Sequence, residues 1–403
     1  MLICRNSLLR HIIPFVLLAF LVFLIAPNSG FGVYPEVKEL EGNRMSFDEL
    51  GEYFTDLTVK KGGTYGFEVL KRAELPPGTD LHFLGHFVGD ELYRQEGVSG
   101  MSKCTHGFRN ACSHAMVIGA MVEFGEGALP LVKEVCKDAP GGSGAYTMCF
   151  HGFGHGVFAY TGYNFEDTVK ICSRTGTPEA NNREFPECIG GAVMELLGGG
   201  GHDKELWEKA REKYLSKTEP RSLCEFSFMT DEIRPICYTY LTPHLFEFAG
   251  GDLGHLTEEN YRDAFLYCDE IPISLEGDRL SCFGSLGKEF VVLAQNRDVR
   301  KIDQMTNTQL DKVYELCKIT EDEAGQAACV RNAVQSLFWG GENDRGAAIR
   351  FCSLIYDDKN QFACFSELVG AVGYYIKDKS YYREFCSELP DGHIKGCRNT
   401  LLR

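Results

Sequence analysis

The sequence predicts an all-α protein, built as a superhelical, α-solenoid-like stack of two-helix repeats that are each stapled by a local disulfide. Two observations lead to this fold class. Sixteen of the 17 cysteines come in eight close couples along the 403-residue chain. Apolar residues return at helical steps of three and four residues around these couples. The chain is 44% hydrophobic and 24% charged, which is ordinary for a folded protein with a sizeable core.

The first predicted segment, residues 1–32, is a signal peptide or an uncleaved N-terminal membrane anchor. Two arginines precede an apolar run of 15 residues, from Ile12 to Ala26. A helix of that length reaches about 22 Å, which is short of the roughly 30 Å hydrocarbon core and favours a signal peptide. The match to a small-residue cleavage site is poor, so the anchor stays open. Both alternatives make residues 33–403 extracytoplasmic, either secreted or periplasmic.

The cysteine couples predict disulfides, because an exported chain with an even number of cysteines normally pairs them. The spacer within a couple is 7 to 15 residues, and successive couples are 22 to 36 residues apart. We expect each couple to form one bridge, with bridges between units as the alternative. The couples are Cys104 with Cys112, Cys136 with Cys149, Cys172 with Cys188, Cys224 with Cys237, Cys268 with Cys282, Cys317 with Cys329, Cys352 with Cys364, and Cys386 with Cys397.

Each couple predicts one unit of helix, bend and helix. A helical stretch leads into the first cysteine, as at 311–317, and another begins at the second, as at 329–338. Two antiparallel helices bring their adjoining ends within the roughly 4.4 to 6.8 Å between Cα atoms that a disulfide needs. Units of 33 to 49 residues that stack in order form an α-solenoid with a concave face. The long gap after Cys188 predicts either an additional helix, with 204–215 as the candidate, or a long loop.

Helix start signals appear as a capping side chain three residues before an acidic residue. Such pairs are Ser46 with Glu49, Asn164 with Asp167, and Thr308 with Asp311. We therefore expect one helix to begin just after the capping residue of each pair.

Five histidines recur at two positions, two and six residues after the second cysteine of a unit. In the first unit, Asp80 stands in place of that cysteine. Residues four apart share one face of a helix, with Cβ atoms about 5 to 6 Å apart, and stacked helices lie roughly 8 to 10 Å apart. We therefore expect these imidazoles to meet, with His106 as a further candidate. The five are His82 and His86 in the first unit, His114 in the second, and His151 and His155 in the third.

Clustered neutral imidazoles are typical ligands of divalent transition metals, and Zn, Cu, Fe and Ni all fit such a site. We interpret the region 80–160 as a metal site made by His82, His86, His106, His114, His151 and His155. Weaker candidates for ligands or their partners are the carboxylates Asp90, Glu91, Glu123 and Glu126. Helix packing is the competing explanation, because the glycines beside these histidines also suit close helix contact. A structural zinc site of Cys104, His106, Cys112 and His114 is a third alternative, which the oxidising compartment opposes.

The other histidines each follow a glycine or a proline, which predicts surface loops. They are His202, His244, His255 and His393. The sequence has no phosphate-binding loop, no nucleophile-elbow serine and no Cys-x-x-Cys-His haem motif. No catalytic residue can therefore be named from sequence patterns.

Charge and histidine placement limit the function. The leader holds two of the 41 basic residues and no acid, so the remainder carries 39 basic and 57 acidic residues, a net charge of −18. Such a surface repels a phosphate backbone, and we expect no nucleic-acid partner. Two functions remain. The first is an exported helical repeat protein that binds a transition metal, either without catalysis or as a metal-dependent enzyme. The second is a non-catalytic scaffold that binds a peptide or protein on its concave face. The restriction of the clustered histidines to the first three units favours metal binding. A membrane is a partner only if the leader is retained.

Overall fold

A computed structural model describes residues 34–198, 203–251, 253, 255–340 and 344–403. The predicted leader, residues 1–32, lies outside this part of the chain. Within the described residues the protein forms 21 α-helices and no strand, which confirms the all-α fold class. The helices are α1 (Pro35–Glu39), α2 (Phe47–Lys61), α3 (Gly63–Arg72), α4 (Leu81–Glu96), α5 (Gly107–Phe124), α6 (Leu129–Val135), α7 (Ser143–Tyr160), α8 (Phe165–Cys172), α9 (Glu184–Gly198), α10 (Lys204–Tyr214), α11 (Ser222–Glu225), α12 (Arg234–Tyr240), α13 (Thr242–Phe248), α14 (Glu258–Asp269), α15 (Glu276–Leu293), α16 (Asn307–Cys317), α17 (Glu323–Phe338), α18 (Gly346–Leu354), α19 (Asp358–Tyr375), α20 (Lys379–Glu388) and α21 (Asp391–Leu401).

All sixteen cysteines of the couples are joined to their neighbours, as the spacing predicts. The Cα atoms of the bridged cysteines are 5.4 to 5.6 Å apart in every pair. The alternative of bridges between units is therefore wrong. The zinc site made with the thiolates of Cys104 and Cys112 is also wrong, because these two sulfurs are bonded to each other. Eight disulfides indicate an oxidising, extracytoplasmic environment.

The helices that carry the second cysteine of each couple stack in chain order. We call them, together with α4, the second helices: α4, α5, α7, α9, α12, α15, α17, α19 and α21. Each packs against the next one. The second helices meet along apolar faces whose residues are almost fully buried, as Phe150 and Phe153 are in α7. This order of contacts is consistent with a solenoid-like stack.

The stack also curls back on itself, which a simple solenoid does not do. Helix α19 packs against α7, and the amide of Gly142 donates to the carbonyl of Tyr375 at 2.8 Å. After α15, the guanidinium of Arg300 donates to the carbonyls of Leu70 and Ala73 at 2.7 and 2.8 Å. Late units therefore contact the first ones, and the second helices surround a cavity.

Glycines allow the second helices to approach closely beside the predicted histidines. A Cβ added to Gly152 of α7 would lie 2.5 Å from the Cα of His114 in α5. A Cβ added to Gly191 of α9 would lie 1.9 Å from the carbonyl oxygen of His151. Any side chain at these positions would force the helices apart. The glycines serve close packing, and that packing brings the histidine-bearing helices together.

Two of the three helix starts agree with the expected caps. The side chain of Ser46 caps α2 in a capping box with Glu49, and the side chain of Asn164 caps α8. The prediction at Thr308 is wrong, because Thr306 caps α16 and forms its box with Gln309. Glutamine serves this box as well as an acid does. The additional helix expected over 204–215 is α10, which ends at Tyr214.

One helical stretch within the described residues, Gly107–Asp138, is long and apolar enough to cross a membrane. Half of its most apolar window is buried inside the protein. A core helix of a soluble fold has the same length and composition, so this stretch is weak evidence for a span.

Candidate metal centre

Five imidazoles converge where α4, α5 and α7 pack together. The ring centroids of neighbouring histidines in this cluster are 4.6 to 6.4 Å apart. His114 occupies the centre, since its ring lies within 6.1 Å of the other four. His82 is half-buried and the others are buried. The cluster consists of His82, His86, His114, His151 and His155.

Three of these residues hold ring nitrogens close enough to share one ion. One nitrogen each of His82, His114 and His155 lies within 4.8 Å of the other two. Bonds of about 2.0 to 2.1 Å in a tetrahedral site place ligand nitrogens about 3.4 Å apart. Small side-chain rotations would close that difference. The donor set is therefore a three-histidine group with neutral nitrogen ligands.

Hydrogen bonds fix the tautomers of two of the three rings. Nδ1 of His82 lies 2.8 Å from the carbonyl oxygen of Phe108, and Nδ1 of His155 lies 3.0 Å from Oε2 of Glu195. Both oxygens accept, so each Nδ1 carries the proton and each Nε2 keeps its lone pair. Neither Nε2 has a hydrogen-bond partner among the described residues. A histidine whose other nitrogen donates to a carbonyl or carboxylate is the usual arrangement of a metal ligand.

The remaining ring of the three, His114, has both nitrogens buried without a hydrogen-bond partner among the described residues. The same is true of His151, whose Nδ1 lies 3.8 Å from Oε2 of Glu187. A buried polar atom without a partner costs about 1 to 3 kcal/mol. Packing alone gives no reason to bury several such nitrogens together, whereas a bound cation would satisfy them.

A left-handed turn supplies the carbonyl that orients His82. Phe108, Arg109 and Asn110 have φ values of 53°, 55° and 67° at the start of α5. This conformation is costly for residues other than glycine and is typical of functional sites. The bridge between Cys104 and Cys112, only eight residues apart in sequence, closes the segment around this turn.

Burial keeps three of the clustered imidazoles neutral, those of His82, His114 and His151. Burial lowers the pKa of His82 to about 4. Burial, followed by the neighbouring imidazoles, lowers the pKa of His114 and of His151 well below the ordinary value. Burial also raises the pKa of Glu187 to about 7. Neutral rings are the form that binds a metal, so no proton has to leave them at neutral pH.

The cluster opens onto a cavity of about 140 Å³. The rings of His82, His114 and His151 form part of its wall, whereas His155 lies deeper. The rest of the wall is mostly apolar and includes Met148. The charged residues of the wall are Asp80, Arg109, Lys288, Glu289 and Arg297. Asp80 also caps α4, where its side chain accepts from the amides of His82 and Phe83.

The other sequence candidates are placed elsewhere. His106 is exposed at the residue before α5, in contrast to the five clustered rings. Three of the acids bind other residues: Glu91 pairs with Arg94, Glu123 accepts from Tyr93, and Glu126 pairs with Arg174. Asp90 is half-buried on α4.

Sequence patterns missed two carboxylates, Glu187 and Glu195, which α9 brings to the cluster. Glu195 is 2% exposed in an otherwise apolar stretch of that helix. Its only sequence signal is an isolated acid on a buried helix face, which normally needs a partner.

The prediction of surface loops for the remaining histidines is partly wrong. His244 is buried in α13, and His393 lies in α21 with its ring 4.4 Å from that of Phe365. A preceding proline or glycine suits the first turn of a helix as well as a loop. His255 is exposed in a bend, as expected. His202 lies outside the described residues.

Fold and site define a disulfide-stapled, all-helical protein with a buried histidine cluster beside an internal cavity. Comparison with protein-family models, with curated proteins and with solved structures found no match. Function must therefore be argued from the site itself.

Proposed function

We propose that this protein is an extracytoplasmic metalloprotein that binds one transition metal ion through His82, His114 and His155. One observation carries the proposal: three imidazoles from three helices, two of them buried and that of His82 half-buried, hold ring nitrogens within 4.8 Å of one another. Two of the rings have their tautomer set by an acceptor on the opposite nitrogen. Such a donor set suits zinc, copper, iron and nickel.

The proposed site is of the open type. Structural zinc sites surround the ion with four protein ligands, whereas catalytic sites use three and leave a position for a small molecule. Here three imidazoles belong to the group, and two of them, His82 and His114, also line the cavity. We infer that chemistry on a small molecule, of hydrolytic or oxidative type, takes place in this cavity. His86 and His151 lie beside the three proposed ligands, and each can serve as a ligand in place of one of them.

The competing scaffold function has less support. A scaffold needs an extended concave surface, whereas the contacts between α19 and α7 close the concave side toward a small cavity. Nor does a scaffold require unpartnered imidazole nitrogens in its core.

Metal content tests the proposal directly. The purified protein is washed with chelator, reloaded with zinc or copper and analysed for metal, beside a His82→Ala, His155→Ala variant and a His106→Ala control. We expect about one ion per chain in the wild type and in the control, and a large loss in the double variant. Equal and negligible metal in all three proteins would leave only the scaffold.

A further inference from the structure

The wall of the cavity carries an excess of positive charge. Its charged side chains are three cations and two carboxylates. Nη2 of Arg297 lies 2.7 Å from Oδ2 of Asp80, so these two neutralise each other. The other three are Arg109, Lys288 and Glu289. Their summed charge is positive within a largely apolar enclosure, where electrostatic interactions are stronger than in water.

Lys288 is positioned to contact a molecule in the cavity. Its side chain is 15% exposed, and its ammonium lies 4.4 Å from the ring centroid of Tyr240. Nζ donates to the carbonyl of Thr239 at 3.1 Å. Oε1 of Glu289 lies 3.6 Å from Nζ, which is an ion-pair distance but longer than a hydrogen bond. An ammonium has three donors, so this arrangement leaves capacity for a ligand.

Arg109 adds a second cation to the same wall. Its guanidinium lies 5.7 Å from the ring centroid of Trp339, and its backbone belongs to the left-handed turn that orients His82. A planar guanidinium is suited to carboxylate and phosphate oxygens. The turn therefore serves both the imidazole cluster and the charged wall.

The donor set of the metal site increases this positive charge. Three neutral imidazoles do not cancel the charge of a divalent ion, in contrast to thiolates or carboxylates. Glu195 offsets part of it from behind His155. The cavity side remains electropositive when the site is loaded, and an anion there would be attracted by the ion and by the wall together.

Resting on the metal site proposed above, we propose that the cavity binds a small molecule with an oxyanion group, a carboxylate or a phosphate, which Lys288 and Arg109 hold beside the imidazoles. The apolar part of the ligand lies against Met148, Met194 and Val292, which also line the cavity. A cavity of about 140 Å³ admits a compact ligand and not a polymer.

The visible spectrum of the cobalt(II)-loaded full chain tests this inference. Propionate, its neutral analogue propionamide, and inorganic phosphate are titrated separately. We expect saturable spectral changes with at least one oxyanion. Propionamide should bind at least about tenfold more weakly than the tighter oxyanion, because a hydrogen bond to a charged group is lost. The tighter of the two oxyanions identifies the headgroup. Binding of propionamide as tight as that of the tighter oxyanion, or no binding of either oxyanion, would overturn the inference without any variant.

A matched pair of variants assigns the contact. Lys288→Met removes the ammonium in the cavity, and Lys312→Met removes one whose side chain is 57% exposed on the surface. We expect Lys288→Met to weaken the oxyanion at least about tenfold, with unchanged metal content, and Lys312→Met to match the wild type. Identical oxyanion affinities in both variants would contradict the role of Lys288. Absence of metal from the wild type would instead overturn the proposed function, and this inference with it.

Discussion

Replacing Glu195 changes the hydrogen-bond support of one proposed metal ligand, His155, while leaving all three proposed ligands in place. Its carboxylate is buried and accepts from Nδ1 of His155 at 3.0 Å. Glu195→Gln keeps the size and an acceptor oxygen but removes the charge. Glu195→Ala removes the acceptor altogether, so nothing fixes the tautomer or the ring orientation of His155 through this hydrogen bond. Changes to such supporting residues typically cost 10- to 100-fold in metal affinity.

The two variants should therefore form a graded series. We expect about tenfold weaker metal binding for Glu195→Gln and about 100-fold for Glu195→Ala, which correspond to about 1.4 and 2.8 kcal/mol. The assay is competition for zinc against a chelator of known affinity at pH 7. Wild-type affinity in both variants would refute the assigned role of Glu195.

A matched control comes from the same helix. Glu184 is also buried in α9, and it accepts from the hydroxyl of Tyr146 at 2.9 Å. Glu184→Gln therefore repeats the loss of a buried, hydrogen-bonded charge without a contact to an imidazole. We expect some loss of stability and unchanged metal affinity. A loss of metal binding equal to that of Glu195→Gln would show that the effect is general destabilisation.

Three further predictions concern the fold around the site. Gly152→Ala should lower the free energy of unfolding by about 1 to 3 kcal/mol, because the new Cβ would lie 2.5 Å from the Cα of His114. The control Gly370→Ala places no atom within 4 Å of its new Cβ and should be neutral or stabilising by up to about 1 kcal/mol in thermal melts. Equal effects of the two variants on stability would contradict the close packing. Burial of Asp298 tends to raise its pKa, but the hydrogen bonds and charge of Arg300 outweigh burial and the pKa is lowered. The stability from this ion pair is therefore present above about pH 4 and is lost as the pH falls further. Between pH 5 and pH 3, the free energy of urea unfolding should fall less for Asp298→Asn than for the wild type, and equal decreases would refute the ion pair. Removing the bridge of Cys136 and Cys149 should lower the free energy of unfolding by about 2 to 3 kcal/mol. It should also weaken zinc binding, because the bridge holds α7, which carries two clustered histidines. Removing the bridge of Cys386 and Cys397 should leave zinc binding unchanged, and loss of zinc binding in both variants would contradict a localised site.

Local regularities explain what could be predicted from the sequence. Cysteine couples separated by one bend can reach each other within a hairpin, so spacing alone predicts their pairing. The register of the five histidines, counted from those cysteines or from Asp80 in the first unit, then predicts a shared site, because equivalent positions on stacked helices are neighbours. Both inferences concern residues that lie within one repeat unit or on two adjacent stacked helices.

Features that depend on several units together could not be predicted. Contacts between Arg300 and the end of α3 span about 230 positions and result from the summed curvature of many units. Glu195 meets His155 only because α9 packs on α7 in one rotational setting. None of the three left-handed residues that begin at Phe108 is a glycine, so the sequence gives little signal for this turn.

X-ray absorption spectroscopy of the zinc-loaded protein measures the identity and number of the metal ligands. We predict a first shell of nitrogen and oxygen at about 2.0 to 2.2 Å, without sulfur, and outer-shell scattering from about three imidazoles. The imidazole signal should fall in His155→Ala. A sulfur shell at about 2.3 Å, or a shell of oxygen without imidazole scattering, would contradict the histidine centre.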